Sequence, residues 1–450
     1  MALAAAALAG PAGAAGLGGL LRLDALARVL LGVVAGVGAL CTAESLAYWR
    51  DELGAAPALP GRGLPRVRVY CCWQQAFLAS LLLAALSGNL GLSWVAIELT
   101  TVTSAVLVGF SGDLRAVEAA WKYVILCSVG LALALLTVIL FYALAGGGGL
   151  HTLDWGSLQA AAAGFPAGPA KLAYLFALVG FGTKSGLAPL HAWLPDAHSE
   201  APAPVSALLS GVLLAVVLCT LVRVGAVTAA TTGPAFPDRL LLGAGLLSVA
   251  VATPFLVLQD DLKRLLAYSS IEQIGLIAIG FGLHTPLAVD GAVLQLVVHA
   301  LTKSGLFLAA GRLLHATGTQ RLARLRALGQ RAPLLGAALL FGVFTLGGLP
   351  PFGLFFSEFS IVQAALGANA ALGLLLLLLL AVIFGGLAFY GARAVFGPRR
   401  AGGAVRATVS AATVLGLPAA LSLVVGLWTP GAVARGISAA AALILGGHGL

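Results

Sequence analysis

Charge is scarce in this sequence: Asp, Glu, Lys and Arg make up 9% of 450 residues, against about 25% in a typical soluble domain. That excludes an ordinary soluble protein. The alternating pattern of a membrane β-barrel is missing as well. Cysteine is sparse, and Cys41, Cys71, Cys72, Cys127 and Cys219 form neither a CxxC pair nor a Cys/His cluster. They offer no ligand set for zinc or an iron–sulfur cluster and read as buried thiols. No GxGxxG, Walker loop, Ser/His/Asp set or DFG-like element occurs, and Gly146–Gly149 reads as a loop tip. No basic residue precedes Arg22, so the Ala/Gly-rich N-terminus is a poor secretory signal.

What is there is apolar: 60% of the residues are hydrophobic, in recurring runs of a length that crosses a roughly 30 Å hydrocarbon core as helix. The expected class is all-α, a polytopic membrane protein with about 13 transmembrane helices. The segments are 3–20 (weak), 28–48, 74–87, 93–110, 118–144, 171–190, 204–227, 239–259, 266–283, 290–312, 333–357, 369–392 and 409–428. Alternating the loops between sides separates the basic residues. One side receives Arg50, Arg62, Arg66, Arg68, Arg115, Lys263, Arg264, Arg312 and the basic residues of 321–331 and 393–406. The other receives only Arg22, Arg28, Lys171, Arg223, Arg239 and Arg435. The richer side is the cytoplasm. The net charge of +9 therefore belongs to membrane topology, and with no aromatic interleaving it does not indicate nucleic acid.

Lysine and arginine are distributed differently. Lys122, Lys184 and Lys303 sit inside apolar stretches, whereas every arginine lies at or beyond their ends. A buried lysine can lose its proton at an attainable pH, and arginine stays charged. This pattern suits proton movement; the alternative is lysine as structural glue, paired to a carboxylate between helices.

Two segments are interrupted by Gly and Pro: Gly180-Phe-Gly182-Thr-Lys184-Ser-Gly-Leu-Ala-Pro189, and Gly347-Gly-Leu-Pro350-Pro351-Phe-Gly353 with Glu358 close behind. Unwound backbone in a bilayer needs protein or a water-filled cavity to satisfy it, and paired broken helices point to an ion path. The breaks fall five segments apart, so a repeat would be inverted. Lys184 to Glu358 and Glu98 to Glu272 are both 174 residues, and Lys122 to Lys303 is 181. The expected division is 1–73 for N-terminal helices and a cytoplasmic loop, 74–230 and 239–396 for two inverted five-helix halves, and 397–450 for a C-terminal helix and tail.

The candidate relay residues follow from burial. Glu98, flanked by apolar residues, is either protonated or paired, with Lys184 as the expected partner. His299 and Lys303 are i,i+4 on one helix face, and Glu358 mirrors Lys184. Lys122 follows Glu118 by one turn and is either part of the relay or a structural pair; Glu272 is expected to be interior. His191, Asp196, His198 and Glu200 form a polar cluster whose spacing suits a wetted cytoplasmic loop better than a metal site. The helix-break residues are Gly182, Pro189, Pro350 and Pro351, and no metal site is expected.

By these residues the chain resembles the antiporter-like proton-conducting subunits of respiratory complex I, Mrp-type antiporters and membrane-bound hydrogenases. The resemblance covers about residues 25–430. It is carried by FGTKSGLAPLHAWLPDAHSEAPAPVSALLSG (181–211), DLKRLLAYSSIEQIG (261–275), HALTKSGLFLAAG (299–311) and GLPPFGLFFSEF (348–359). WVAIELTTVTSAVLVGF and EAAWKYVILCSVGLALAL look most like the hydrogenase-4 component F branch. The resemblance implies that Glu98 and Lys184 form the family's glutamate–lysine pair, that His299 and Lys303 link the halves, and that Glu358 ends the path. It implies a non-redox membrane subunit with no cofactor of its own, set among other membrane subunits of a bacterial or archaeal cell membrane. Quinone, Fe–S or NiFe centres would lie on partner subunits, with a hydrophilic redox arm engaged indirectly; a cation/proton antiporter subunit is the alternative. Two departures stand out. Ser210 and Gln295 occupy positions where relatives place a histidine or lysine and a histidine, which interrupts a simple wire. The chain is also about one span short of the family's usual fourteen at the N-terminus, and lacks the long lateral helix of the distal complex I subunit.

Overall fold

The computed structural model describes residues 14–55, 63–398 and 409–446. Residues 3–13 of the weak first segment, and Arg62, Arg399, Arg400 and Arg406, lie outside the described residues. The chain forms α1 (Ala25–Ala55), α2 (Gly63–Leu86), α3 (Leu90–Val108), α4 (Leu114–Gly147), α5 (Trp155–Ala161), α6 (Ala167–Ser185) and α7 (Trp193–Glu200). There follow α8 (Ala203–Thr232), α9 (Ala235–Val257), α10 (Leu262–Leu283) and α11 (Pro286–Thr317). The last are α12 (Pro333–Leu346), α13 (Gly353–Ala368), α14 (Ala370–Phe396), α15 (Val409–Leu427) and α16 (Gly431–Gly446). Among the described residues, nine helices are long and apolar enough to cross a membrane, and a pair in the C-terminal region, bent by 76°, makes a tenth. The protein is a multi-pass membrane protein.

Each expected segment beyond the first carries a helix. The described part of the first does not: Ala14–Gly16 pairs antiparallel with Leu21–Leu23. Gly18 and Gly19, at φ 66° and 92°, make that turn in a backbone region closed to most side chains. α5, α7 and α16 have no counterpart among the expected segments.

Polar caps set the helix starts. Asn89, Asp113, Asp261 and Thr285 each accept a first-turn N–H, from Leu92, Ala116, Arg264 and Ala288. α8 and α10 are buried all round, whereas most of α14 is not buried. Helices that are apolar on every side belong at the centre, and α8, α10 and α11 carry Ser210, Ser270, His299 and Lys303 through it. Two buried ion pairs pin α1 to this core: Arg223–Asp24 at 2.7 Å, and Arg312–Glu44. Each joins residues expected on the same side of the membrane.

Both breaks are present. α6 ends on Gly186 at φ 81°, and the chain runs unwound to α7; the second gap separates α12 from α13. Ala188–Pro189 and Pro350–Pro351 are cis. Gly182, expected in the first break, is helical instead: its carbonyl accepts the Leu187 N–H at 2.9 Å and closes the helix end.

Candidate functional site

Lys184 is fully buried at the last turn of α6. Its ammonium donates to Thr101 Oγ1 at 2.9 Å and to the Tyr123 hydroxyl, and lies 4.4 Å from the Tyr123 ring centroid. Tyr123 in turn bonds Ser104 Oγ at 2.6 Å. The expected direct Glu98–Lys184 pair is not formed. Thr101, one turn beyond Glu98 on α3, takes its place, while Glu98 Oε2 is buried without a hydrogen-bond partner among the described residues. The two groups remain close enough to act on each other's charge.

Lys122 is not interior. Its side chain is 49% exposed and bridges Glu118 at 2.7 Å and Asp196 at 3.2 Å, and Asp196 also meets Arg264 at 3.2 Å. The reason is length: α4 has 34 residues, about 50 Å at 1.5 Å per residue, so its first turns stand clear of the roughly 30 Å core. Lys263, placed in a loop by its sequence, is instead buried in the first turn of α10. It donates to the carbonyls of Ser199 at 3.3 Å and Ala201 at 2.6 Å. The buried lysines are therefore Lys184, Lys263 and Lys303.

The polar cluster after the first break also divides. Asp196 lies at a charged surface, and Glu200 is half-buried, with burial and the Asp113 charge raising its carboxyl pKa. His198 is fully buried and no part of a wetted loop. Its ring lies between Trp193 and Phe307, with centroids at 6.3 and 5.3 Å. Its Nδ1 donates to the Leu194 carbonyl at 2.9 Å, and Nε2 has no partner among the described residues.

α8 contains a π turn at Leu209–Leu213, with Ser210 inside it; such single-turn bulges recur at functional sites. Gly211 there faces the Ala300 carbonyl so closely that a Cβ would lie 3.0 Å from it, which lets α8 approach α11. The Ser210 carbonyl accepts from His299 Nε2 at 3.3 Å, and its hydroxyl bonds Ser270 Oγ at 2.7 Å. Ser270 donates to the Leu266 carbonyl at 2.9 Å, and the same carbonyl accepts from Lys303 at 2.9 Å. Lys303 also donates to Ser269. Because a carbonyl can only accept, His299 carries its proton on Nε2, which leaves a buried, unpartnered lone pair on Nδ1.

Glu272 and Glu358 are buried together. The Gln273 amide donates to Glu358 Oε1 at 3.0 Å and to Glu272 Oε1 at 3.3 Å. Gln295 donates to Gln273, and Ser357 donates to Gln295. Glu358 Oε2 fills the space over Gly348 at the second break, 2.1 Å from where a Cβ would stand. Gln295 thus supplies a hydrogen-bonded bridge where a histidine was expected to be missed. Among the described residues, no group of three or more His, Cys, Asp or Glu side chains is placed to hold a metal ion.

The NADH:quinone oxidoreductase/Mrp antiporter transmembrane family matches residues 87–384, from before α3 to within α14. The chain belongs to this family. A hydrogenase-4 component F homolog of Methylacidiphilum infernorum is 41% identical over 336 residues, 71% of each chain. Hydrogenase-4 component B of Escherichia coli is 30% identical over 350 residues, 75% of this chain but 50% of that protein's length. A chain of respiratory complex I from Thermus thermophilus has the same fold, with TM-score 0.83 and 25% identity, covering 100% of this chain and 93% of that one.

In this antiporter-family chain the sequence reading missed Thr101, Tyr123, Ser269, Ser270, Gln273, His198 and Lys263 as site residues. The serines and glutamines had no usable signal, because neutral polar residues do not advertise burial by charge.

Proposed function

We propose that this chain is the proton-translocating membrane subunit of a complex I-like hydrogenase or related oxidoreductase. Its relay comprises Glu98, Lys184, His299, Lys303 and Glu358, with Glu272 sharing the last station. The carrying observation is that Lys184 and Lys303 are fully buried, yet neither forms an ion pair among the described residues. Structural glue would require a carboxylate on each ammonium, because breaking a buried pair is strongly destabilising. Hydroxyl and carbonyl partners instead solvate the charged form and tolerate its loss. Lysine, unlike arginine, can exist in both states in such a site.

In the second half, one amide serves two buried carboxylates. A proton arriving on either glutamate relieves the repulsion between two buried carboxylates that share one amide, so the Glu272–Gln273–Glu358 group is suited to hold a proton beside the second break. Lys122 plays no part in this path. The two broken helices and the matching 174-residue offsets support an inverted repeat, with Lys184 in the last turn before the first break and Glu358 in the helix after the second.

The chain's partners are other membrane subunits, with redox energy supplied by quinone, Fe–S or NiFe centres on those or on a hydrophilic arm. A cation/proton antiporter subunit is the second reading, favoured by the family's Mrp membership. Co-purification separates them. Metal-bearing hydrophilic subunits support the first, and an assembly of small membrane subunits with Na+-dependent proton exchange supports the second. Proton translocation after Lys303→Met in the assembled complex tests the relay itself: full activity would remove Lys303 from it.

A further inference from the structure

We propose that the charged cavity at the cytoplasmic ends of α4, α7 and α10 is a proton-uptake mouth, from which Lys263 and His198 supply Lys303 without passing through Lys184. This inference rests on the proton-translocating reading and gives the second half an intake of its own.

The cavity measures about 170 Å³ and is lined by Arg115, Glu118, Lys122, Asp196, Glu200 and Arg264. That is room for several waters, and the balanced charges keep it wet without fixing either sign of ion. Ser199 completes its wall, and the Ser199 carbonyl is also an acceptor for Lys263 Nζ at 3.3 Å. Lys263 therefore stands immediately behind the wall of the cavity. It resembles Lys184 and Lys303 in its surroundings: buried, held by neutral oxygens, and without an ion pair among the described residues. A lysine needed only to clamp the end of α7 would do equally well as an arginine, whereas a lysine that releases protons would not.

His198 adjoins Ser199, whose carbonyl accepts from Lys263 at 3.3 Å. Phe307, against which its ring packs, lies one helical turn beyond Lys303. With its proton on Nδ1, bound to Leu194, the imidazole offers a buried and unpartnered lone pair on Nε2. Lys263 gives a proton to Nε2 and becomes a neutral amine; the imidazolium passes that Nε2 proton to neutral Lys303, and a hydronium entering the cavity from the cytoplasm reprotonates Lys263, leaving water. Charge and protons balance at each transfer. Half-buried Glu200, its pKa raised by burial and by the Asp113 charge, sits at the mouth as a collecting group. A separate intake also answers a gap in the first path. Among the described residues, no hydrogen bond joins the Lys184–Tyr123–Ser104 group to the Lys303–Ser270–Ser210–His299 group.

The test uses the assembled complex in proteoliposomes with Lys263→Arg, His198→Asn and, as control, Lys303→Met. Lys263→Arg keeps donors for both carbonyls but cannot release a proton. The expected result is a loss of proton translocation of about tenfold or more in both variants, with assembly and thermal midpoint retained. Where the larger arginine lowers the midpoint, His198→Asn decides. Wild-type translocation in His198→Asn, or in a stable Lys263→Arg, alongside loss in Lys303→Met overturns the intake. Wild-type translocation in all three overturns the proton-relay reading instead.

Discussion

Lys184 is held 2.9 Å from Thr101 Oγ1, one helical turn beyond Glu98 on α3, and forms no ion pair with Glu98 among the described residues. A hydroxyl and a phenol thus hold the lysine in the position a static salt bridge would otherwise occupy. The carboxylate and ammonium are separated, and joining them requires Lys184 to leave its hydroxyl partners.

Removing those holders should trap the pair. Thr101→Val with Tyr123→Phe leaves Lys184 no neutral partner on α3 or α4, so it closes onto Glu98. Proton translocation by the reconstituted complex should fall about tenfold or more, while assembly persists. Unchanged translocation would show that the two hydroxyls are bystanders.

Gln273→Leu takes away the amide that serves Glu272 and Glu358 together. Leaving buried acceptors unmet costs about 1–3 kcal/mol, so the thermal midpoint in detergent should drop. Adding Glu272→Gln restores a donor and should recover part of the loss. A midpoint unaffected by Gln273→Leu would mean that the carboxylates find other partners.

Much of this architecture was legible from the residues. Long apolar runs marked the spanning helices, though not the short α5 and α7, because a span has few alternatives in a bilayer, and Gly/Pro clusters marked both breaks. Lys184, Lys303, His299 and Glu358 stood out because charge inside an apolar run is costly. Depth was harder to read. Lys122 looked interior because α4 continues apolar past it, yet the helix is longer than the bilayer; Lys263 looked exposed because it opens a span, yet α7 covers it. The π turn at Ser210 left no mark in composition, and the Gly18–Gly19 hairpin was read as weak helix from its alanines.

The Asp24–Arg223 pair, both side chains under 10% exposed, should respond asymmetrically. Asp24→Asn leaves a buried guanidinium short of charge and should destabilise by roughly 3–5 kcal/mol. Pairing it with Arg223→Met should recover much of that in thermal unfolding. Equal loss in the single and double variants would contradict an unpaired guanidinium as the cause, because asparagine keeps the Oδ1 that accepts the Ala27 N–H.

His284 caps α10 and meets Asp238 at 3.3 Å, a hydrogen bond that raises the imidazole pKa. A raised folded-state pKa stabilises the protein fully below the unfolded value of about 6.5, and the gain disappears as pH rises through the folded value. The thermal midpoint should therefore fall across that window, and His284→Gln should flatten the fall. Both groups are partly exposed, so added salt should shrink the effect.

The most direct measurement is proton translocation per turnover by the assembled, reconstituted complex carrying Lys184→Arg. Arginine keeps the positive charge and donors for Thr101 and Tyr123 but not the ability to release a proton. The expected result is a loss of about tenfold or more with assembly intact. Wild-type translocation in a normally assembled Lys184→Arg complex would contradict a proton-carrying role for the buried lysine.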